Sequence, residues 1–156
     1  ERALEIDETV YGPDHPNVAI RVNNLGSVLK EMGDLAGAKK SYERALEIDE
    51  TVYGPDHPNV ARDVNNLGGV LRALGDLAGA KKSFERALEI DKAVYGPDHP
   101  NVAMRVGNLG RVLRDQGDRD GAKENFERTL RIFQKYFDED HPYIKTARND
   151  LESLNR

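Results

Sequence analysis

Apolar residues recur along this chain in two alternating kinds of segment, each with the spacing of a helix. Between Pro58 and about Leu74 they stand three and four residues apart, which marks one face of a helix. Between Asp76 and about Tyr95 a second stripe follows. The pattern predicts two amphipathic helices, A and B, whose apolar residues are Val60, Ala61, Val64, Leu67, Gly68 and Leu71 in helix A and Ala80, Phe84, Ala87, Leu88, Ile90 and Val94 in helix B.

Local signals at the helix ends support these boundaries. Pro58 suits the first turn of helix A, where its missing N–H costs nothing, and this places His57 or Asp56 at the N-cap. Gly75 is expected to end helix A in a left-handed conformation. The carboxylate of Asp76 can accept hydrogen bonds from the free N–H groups at the start of helix B. A Gly-Pro-Asp turn then ends helix B.

The hairpin of helices A and B repeats with a period of 42 residues. Residues 1–42 and 43–84 are identical at 35 of 42 positions, and residues 43–84 and 85–126 are identical at 30 of 42. Tandem duplication would produce such similarity. A single hairpin cannot bury both stripes, whereas stacked neighbours can. We therefore predict a single array over 1–156, with units 1–42, 43–84, 85–126 and a partial, capping unit 127–156. Small residues are expected to let paired helices approach closely, at Gly26, Gly68, Gly110, Ala38, Ala80 and Ala122.

The two ends of the array differ from its middle. Glu1 stands midway through a B helix, so we expect the chain to be an excerpt of a longer protein. In the last unit Glu152 replaces the glycine of helix A. The polar helix from Tyr143 to Asn155 is therefore expected to be a terminal cap.

Composition and charge exclude several classes of function. With a net charge of −5, the chain lacks the basic surface on which general nucleic-acid binding depends. No stretch approaches the ~18 apolar residues of a transmembrane helix, so we expect no membrane partner. The absence of cysteine excludes disulfides and thiolate metal sites, and it permits the cytoplasmic location that we expect. No phosphate-binding loop, nucleophile motif or metal-binding pattern is present, so we expect neither a cofactor nor catalysis.

The residues shared by the copies resemble the signature of the tetratricopeptide repeat. In the first copy the matching residues are Leu25, Gly26, Leu29, Gly33, Ala38, Tyr42 and Ala45. Valine takes the usual tryptophan position of helix A, at Val22, Val64 and Val106. The usual period is 34 residues rather than 42. The longer period, with Asn-Asn-Leu-Gly in helix A and Gly-Pro-Asp-His-Pro-Asn-Val-Ala between repeats, is similar to the kinesin-light-chain-like class.

The resemblance implies an all-helical α-solenoid, a right-handed superhelix, whose concave groove along the A helices binds extended peptides. In the resembling family a helix-A asparagine contacts the ligand backbone, and its amide offers both donors and an acceptor. We expect Ser27 and Lys30 to line the same groove. The alternative is that the asparagine amides cap or bridge neighbouring A helices. The candidate asparagines are Asn24, Asn66 and Asn108, with Asn23 and Asn65 beside two of them.

The helix-A segments contain most of the differences between copies and also an excess of positively charged residues. Six of the seven differences between the first two copies lie there, for example Ile20/Arg62 and Ser27/Gly69. They would alter ligand preference, or they reflect drift on a solvent-facing surface. The same segments carry ten Lys/Arg and five Asp/Glu, Arg156 included. Such a groove would favour an acidic or carboxylate ligand, unless these cations are solvated or paired locally. The candidate donors are Arg62, Arg72, Arg111 and Arg114.

The histidines recur once per unit, always in the sequence Asp-His-Pro. Packed helices lie ~8–10 Å apart, whereas zinc ligands must lie ~2 Å from one ion. We therefore assign the histidines to helix caps and loop packing rather than to a metal. They are His15, His57, His99 and His141. The regularly repeated acidic residues of helix B are interpreted as a solvated helix face.

The function that these features predict is a protein- or peptide-binding scaffold that uses the A-helix groove and has no catalytic residues. The alternative is a structural spacer, a self-associating array or a model repeat protein, with no dedicated ligand. A repeat this uniform can stack end to end, and heterologous end contacts generate open filaments. The differences between copies are then the positions at which a binding preference would be encoded.

Overall fold

The computed structural model describes residues 2–155, and its regular elements within that range are all helices. Glu1 and Arg156, on which the predicted start of the array and one of the counted charges depend, lie outside the described residues. No helix of the described part is long and apolar enough to cross a membrane. The α-helices are α1 (Arg2–Tyr11), α2 (Pro16–Glu31), α3 (Leu35–Tyr53), α4 (Pro58–Ala73), α5 (Leu77–Tyr95), α6 (Pro100–Asp115), α7 (Arg119–Phe133) and α8 (Pro142–Glu152), and the 3-10 helix Ser153–Asn155 follows.

The helices form consecutive antiparallel hairpins in two compact units. The first unit spans Glu1–Asp76 and contains α1 to α4, and the second spans Leu77–Arg156 and contains α5 to α8. In each unit an A helix packs against the B helix that follows it, α2 against α3 and α6 against α7. The A helices are α2, α4, α6 and α8, and the B helices are α1, α3, α5 and α7. The predicted all-helical class and the alternation of A and B helices are confirmed.

Each A helix begins at a proline whose preceding histidine is the N-cap. His57, and not Asp56, caps α4: its Nδ1 accepts a hydrogen bond from the backbone N–H of Asn59 at 3.1 Å. Each capping imidazole also stacks on an aromatic ring, which is the last residue of α1, α3 or α5 for the first three and lies in the turn after α7 for His141. The ring centroids are 4.7 Å apart for Tyr11–His15, 4.4 Å for Tyr53–His57, 4.5 Å for Tyr95–His99 and 4.1 Å for Phe137–His141. The predicted role of the histidines in caps and loop packing is confirmed.

Glycine and aspartate mark the passage from helix A to helix B. Gly75 has a φ of +85°, the left-handed conformation expected of it, and Gly33 and Gly117 share it. At the start of α3 and of α7, Asp34 and Asp118 each accept a backbone N–H on Oδ1 at 2.9 Å. Because these bonds satisfy donors that have no partner within the helix, they set the first residue of the B helix.

Helices A and B are in tight contact at a glycine of helix A, as predicted, and the group against it is an aromatic ring. A Cβ added to Gly26 would lie 2.9 Å from Cε1 of Tyr42, and one added to Gly110 would lie 2.7 Å from Cε1 of Phe126. The alanines are buried beside these rings. Ala38 shares an apolar cluster with Tyr42 and Val70 of α4 in the first unit.

The core of each unit continues between a B helix and the A helices beside it. In the first unit Val18, Ala19 and Val22 of α2 pack with Ala45 and Ile48 of α3. In the second unit α8 packs on α7 through two buried residues, and its exposed side is charged. The buried residues are Ile144 and Ala147, and the exposed charged residues include Lys145, Arg148 and Glu152.

We predict that Gly110→Ala lowers the free energy of unfolding by ~1–3 kcal/mol, because the new methyl group would overlap the ring of Phe126. The matched control is Gly69→Ala, where the nearest atom to the new Cβ is Nζ of Lys30 at 3.4 Å. This helical site has room for a methyl group, so the substitution should stabilise the protein by ~0.5–1 kcal/mol. Urea denaturation measures both. Equal effects of the two substitutions would contradict the role assigned to the ring contact.

Candidate peptide-binding surface

The candidate asparagines occupy different environments on the A helices. Nδ2 of Asn66 on α4 donates a hydrogen bond to Oδ1 of Asn23 on α2 at 2.9 Å. Asn23 is buried, and this pair bridges neighbouring A helices. Asn24 is exposed and lines a cavity of 270 Å³. Asn65 is half-buried on α4. Ligand contact by these amides stays a prediction, and for Asn23 and Asn66 the structure shows the bridging alternative.

A polar cavity of 340 Å³ lies on the first unit, at the surface of α2 and α4. It is lined by Ser27, Lys30, Glu31, Tyr42 and Asn66. Oγ of Ser27 and the phenol oxygen of Tyr42 are 3.0 Å apart, and Lys30 is exposed. Because the two hydroxyls bond to each other and Oγ of Ser27 also reaches the backbone oxygen of Asn23 at 3.4 Å, the donors that remain for a carboxylate or a peptide carbonyl are the ammonium group of Lys30 and the second amide N–H of Asn66. Glu31 contributes acceptors only.

Sequence reasoning placed Ser27 and Lys30 on this surface but missed Tyr42, which comes from a B helix. The equivalent residues are Phe84 and Phe126, so the phenol oxygen is particular to the first copy. The Tyr42/Phe84 difference is also the only one between the first two copies that lies beyond the helix-A segment and its C-cap, Met32/Leu74. That isolated difference is the signal that could have found it.

At the equivalent surface of the second unit, two side chains pair with each other. Arg111 takes the position of Ser27, and Asp150 takes that of Asn66. Nη2 of Arg111 donates to Oδ2 of Asp150 at 2.8 Å, and Nε donates to the same oxygen at 3.1 Å. Nη1 donates to Oδ1 of Asn108 at 3.1 Å. The guanidinium group therefore has carboxylate and amide partners within the unit.

The other candidate arginines are also placed among polar neighbours. Arg114 donates from Nη1 to Oγ of Ser153 at 2.7 Å. Arg72 is half-buried on α4. Local pairing, the alternative to ligand binding, is therefore what the structure shows for Arg111 and Arg114, and ligand contact by the arginines stays a prediction.

Arg62 belongs to a cluster of charges between α3 and α4. Its Nη2 lies 3.0 Å from Oδ2 of Asp49 and 2.8 Å from Oδ1 of Asp63. Both carboxyl groups are almost fully buried. Burial raises the pKa of Asp63 to about 7, against the opposing effect of the Arg62 charge, and the neighbouring Asp49 adds to the rise. One cation thus faces two carboxyl groups that are shielded from water.

The other two copies use one arginine and one aspartate at this place. Arg21 donates to Asp7 at 2.9 Å, and Arg105 donates to Asp91 at 2.8 Å. In the second copy the arginine stands one residue earlier, at position 62, and an aspartate replaces it at 63. The Ile20/Arg62 and Arg21/Asp63 differences thus change the ion pairs between a B helix and the next A helix.

The repeat signature extends over the whole chain. A sequence profile described as tetratricopeptide repeat matches residues 1–49, 19–63, 63–135 and 104–156. The chain belongs to the tetratricopeptide repeat family. The family predicted from the helix-A and helix-B signature is confirmed, and repeats of this family generally act as protein-interaction scaffolds.

Several solved structures share this tetratricopeptide fold. They include BtubC (BKLC) from P. vanneervenii, with a TM-score of 0.81 and 24% identity over 90% of this chain and 56% of that one. A Podosopora anserina putative kinesin light chain, described by its nearly identical TPR-like repeats, has a TM-score of 0.78 and 19% identity over 98% and 72%. The apo form of RapI has a TM-score of 0.82 and 20% identity over 99% and 54%.

These likenesses show the fold, including its similarity to kinesin-light-chain-like repeats, and at such identities they show no more than that. The chain spans about half the length of BtubC and of RapI, 56% and 54% respectively. No curated protein matches the sequence.

We predict that the stability of this tetratricopeptide chain falls between pH 4 and 7 because of Asp63. The pKa of Asp63 is raised from 3.8 to about 7, so the folded state binds its proton more tightly than the unfolded state does. The contribution is fully present below pH 4 and is lost as the pH rises through 7. Asp63→Asn should remove this loss, which we expect to exceed ~1.4 kcal/mol, the value of one pKa unit.

Urea denaturation of both proteins from pH 4 to pH 8 measures the difference. The double variant Arg62→Ile/Asp63→Arg restores the arrangement of the first copy, with an arginine opposite Asp49, and should lose the same pH dependence. Identical pH profiles for Asp63→Asn and the unaltered protein would show that Asp63 does not titrate in this range.

Proposed function

We propose that this tetratricopeptide module binds an extended segment of another protein on the A helices of its first unit. The observation that carries the proposal is the polar cavity lined by Ser27, Lys30, Tyr42 and Asn66. It lies on α2 and α4, the kind of helix along which the family resemblance implies peptide binding. A neutral hydrogen bond adds only ~0.5–1.5 kcal/mol net, so several contacts must act together.

The second unit supports this choice by contrast. Where the first unit has the small hydroxyl of Ser27, the second has Arg111, and where the first has Asn66, the second has Asp150. These two side chains pair with each other at 2.8 Å, so their donors and acceptors are engaged within the chain. We therefore place the ligand on the first unit.

The chemistry of the cavity favours a ligand with a carboxylate, either an acidic side chain or a chain terminus. Lys30 supplies a positive charge and the amide of Asn66 supplies a further N–H donor, whereas the hydroxyls of Ser27 and Tyr42 bond to each other. Glu31, at the rim, opposes a carboxylate placed next to it. The ligand carboxylate is therefore expected on the Lys30 side, with a carbonyl group of the ligand toward Asn66.

Selection from a peptide library, followed by calorimetry with the selected sequences, tests the proposal. We expect enrichment of acidic peptides and micromolar affinity, about −8 kcal/mol. Ser27→Arg/Asn66→Asp should abolish binding without unfolding the chain, because Arg111 and Asp150 already show this pair in a folded unit. Lys30→Ala should weaken binding, and the exposed Lys40→Ala on α3 is its matched control.

The interpretation of any loss requires a parallel measurement of stability, because Asn66 also bonds to Asn23. A peptide that binds the double variant as tightly as the unaltered chain would place the ligand elsewhere. Enrichment of basic or purely apolar peptides would overturn the carboxylate preference.

End-to-end self-association, the alternative function, has a chemical obstacle at one end. α1 exposes the apolar side chains of Ile6 and Val10 beside Arg2, Glu5 and Thr9, whereas α8 exposes Lys145 and Arg148. Joining these ends would place the two cations of α8 against Ile6 and Val10, and burying a charge beside apolar groups costs free energy. We predict a monomer in sedimentation equilibrium across a wide range of concentrations, and concentration-dependent growth into filaments would favour the alternative.

A further inference from the structure

The buried cluster between α3 and α4 contains more carboxyl groups than cations. Nη2 of Arg62 donates to Oδ2 of Asp49 at 3.0 Å, and Nε of Arg62 donates to Oδ1 of Asp63 at 2.9 Å. The side chains of Asp49 and Asp63 are 1% and 0% exposed. If both carboxyl groups were ionised, this cluster would therefore hold one negative charge that no cation balances.

One oxygen of each carboxyl group has no bond to the guanidinium group. Oδ1 of Asp49 and Oδ2 of Asp63 are buried, and neither has a hydrogen-bond partner among the described residues. Within the described part of the chain, they are the only buried side-chain polar atoms in this situation. A buried polar atom normally has a partner, so the cluster requires a further hydrogen-bond donor.

A single proton can satisfy both of these oxygens. Oδ2 of Asp49 and Oδ1 of Asp63 lie within 3.0 Å of the same atom, Nη2 of Arg62, so the two carboxyl groups are neighbours. A protonated carboxyl group donates a hydrogen bond that an ionised one accepts. Two carboxyl groups this close do not readily ionise together, and the pair then titrates as one system. With one proton between them, the cluster has one carboxylate for one guanidinium group.

The pKa of Asp63 agrees with this arrangement. Burial raises the pKa to about 7, the Arg62 charge opposes the rise, and a hydrogen bond with the Asp49 side chain adds to it together with the charge of Asp49. The charged groups that act on Asp63 are thus Arg62 on the same helix and Asp49 on α3. On α2 the corresponding cation, Arg21, has its own partner in Asp7 of α1, at 2.9 Å.

A metal ion fits this place less well than a proton. Ca²⁺ and Mg²⁺ take about six or more oxygen ligands, and Arg62 already brings a positive charge to the two carboxyl groups. Among residues 2–155, no group of three or more acidic, histidine or cysteine side chains could hold a metal ion.

The surplus carboxyl group is particular to the second copy. In the first copy Asp7 faces Arg21, and in the third copy Asp91 faces Arg105, so each of these pairs has one carboxylate and one cation. The shared proton is therefore a property of the second copy and not of the repeat fold.

The helix that carries Asp63 also carries part of the polar cavity. Asn66 lines this cavity and donates a hydrogen bond to Asn23 of α2 at 2.9 Å. Asn66 follows Asp63 by three residues, so the two stand on neighbouring turns of α4. A displacement of this part of α4 would therefore move Asn66 relative to Ser27 and Lys30 of α2.

We propose that Asp49 and Asp63 share one proton that holds α4 against α3, and that loss of this proton loosens α4 and weakens ligand binding at the polar cavity. The proton leaves for solvent, and two carboxylates then face a single guanidinium group. Water enters the contact to solvate the excess charge, because a buried charge without a partner is costly. The effect on the ligand rests on the proposed function, whereas the effect on α4 does not.

Infrared spectroscopy of the chain without ligand tests the proton. Ordinary aspartates and glutamates are ionised at pH 6. We therefore expect the carboxylic-acid band of one protonated side chain at pH 6 and its near-complete loss at pH 8. Asp63→Asn and Asp49→Asn should each remove the band, whereas the matched control Asp56→Asn, at an exposed residue in the turn before α4, should keep it. A spectrum that lacks the band at pH 6 would overturn the proposal.

Hydrogen exchange of the backbone amides tests the effect on α4. After correction for the intrinsic rates, protection of the amides of residues 60–66 should be about tenfold lower at pH 8, one unit above the pKa of Asp63, than at pH 6. The equivalent amides of residues 102–108 in α6 are the internal control and should keep their protection. In Asp63→Asn the side-chain amide replaces the protonated carboxyl group, so the difference should disappear. Equal protection of α4 at both pH values would show that the proton does not hold the helix.

Calorimetry with a peptide selected for the polar cavity tests the effect on the ligand. Acidic peptide side chains stay ionised between pH 6 and 8, so the charge of the ligand is constant. If only the protonated form binds, the affinity should fall by about tenfold from pH 6 to pH 8. Asp63→Asn should bind equally well at both pH values, and it keeps every histidine of the chain.

The outcomes separate this inference from the proposed function. Equal affinities of the unaltered chain at pH 6 and pH 8 would overturn the effect of the proton on the ligand. If no peptide binds at either pH, the polar cavity is not the binding site, and hydrogen exchange still decides whether the proton holds α4.

Discussion

The contact of an aromatic ring with a glycine determines how closely helices A and B meet. Tyr42 lies on Gly26 and Phe126 lies on Gly110, in each case sixteen residues apart in the sequence. A methyl group at either glycine would not fit without displacing the ring. Glycine costs ~1 kcal/mol within a helix, and its use here shows that the packing around the ring offsets this cost. The buried valines and alanines on both sides of the contact depend on that spacing.

The fold followed closely from the sequence because its signals are local. Pro58, Gly75 and the Asp-His-Pro motif act on the backbone within a few residues, so the helix ends could be placed to about one residue. Only the structure decides that the N-cap is His57 and not Asp56, because both side chains can accept a hydrogen bond from a backbone N–H. The ring that packs against Gly26 was not predicted either, because the separation in sequence does not show which helix-B side chain contacts the glycine.

The candidate site was less predictable because its residues act in pairs across helices. Comparing copies one position at a time makes Arg62 and Arg111 resemble free cations on a variable surface. In the structure their partners are Asp63 and Asp150, and the arginine and the carboxylate vary together between copies. A buried charge requires a partner, so such substitutions must occur jointly. The structure shows the contact between the arginine and the carboxylate directly, whereas a single sequence shows only that both positions differ between copies.

In the second unit Arg111 and Asp150 occupy the positions of Ser27 and Asn66, which line the proposed binding site of the first unit. On that proposal, the bonded guanidinium and carboxylate groups keep the corresponding surface of the second unit from binding a ligand. Two substitutions, to the serine and asparagine of the first unit, would uncover it while the surrounding helices stay as they are. Duplication followed by such paired changes lets a repeat protein alter its valency without altering its architecture.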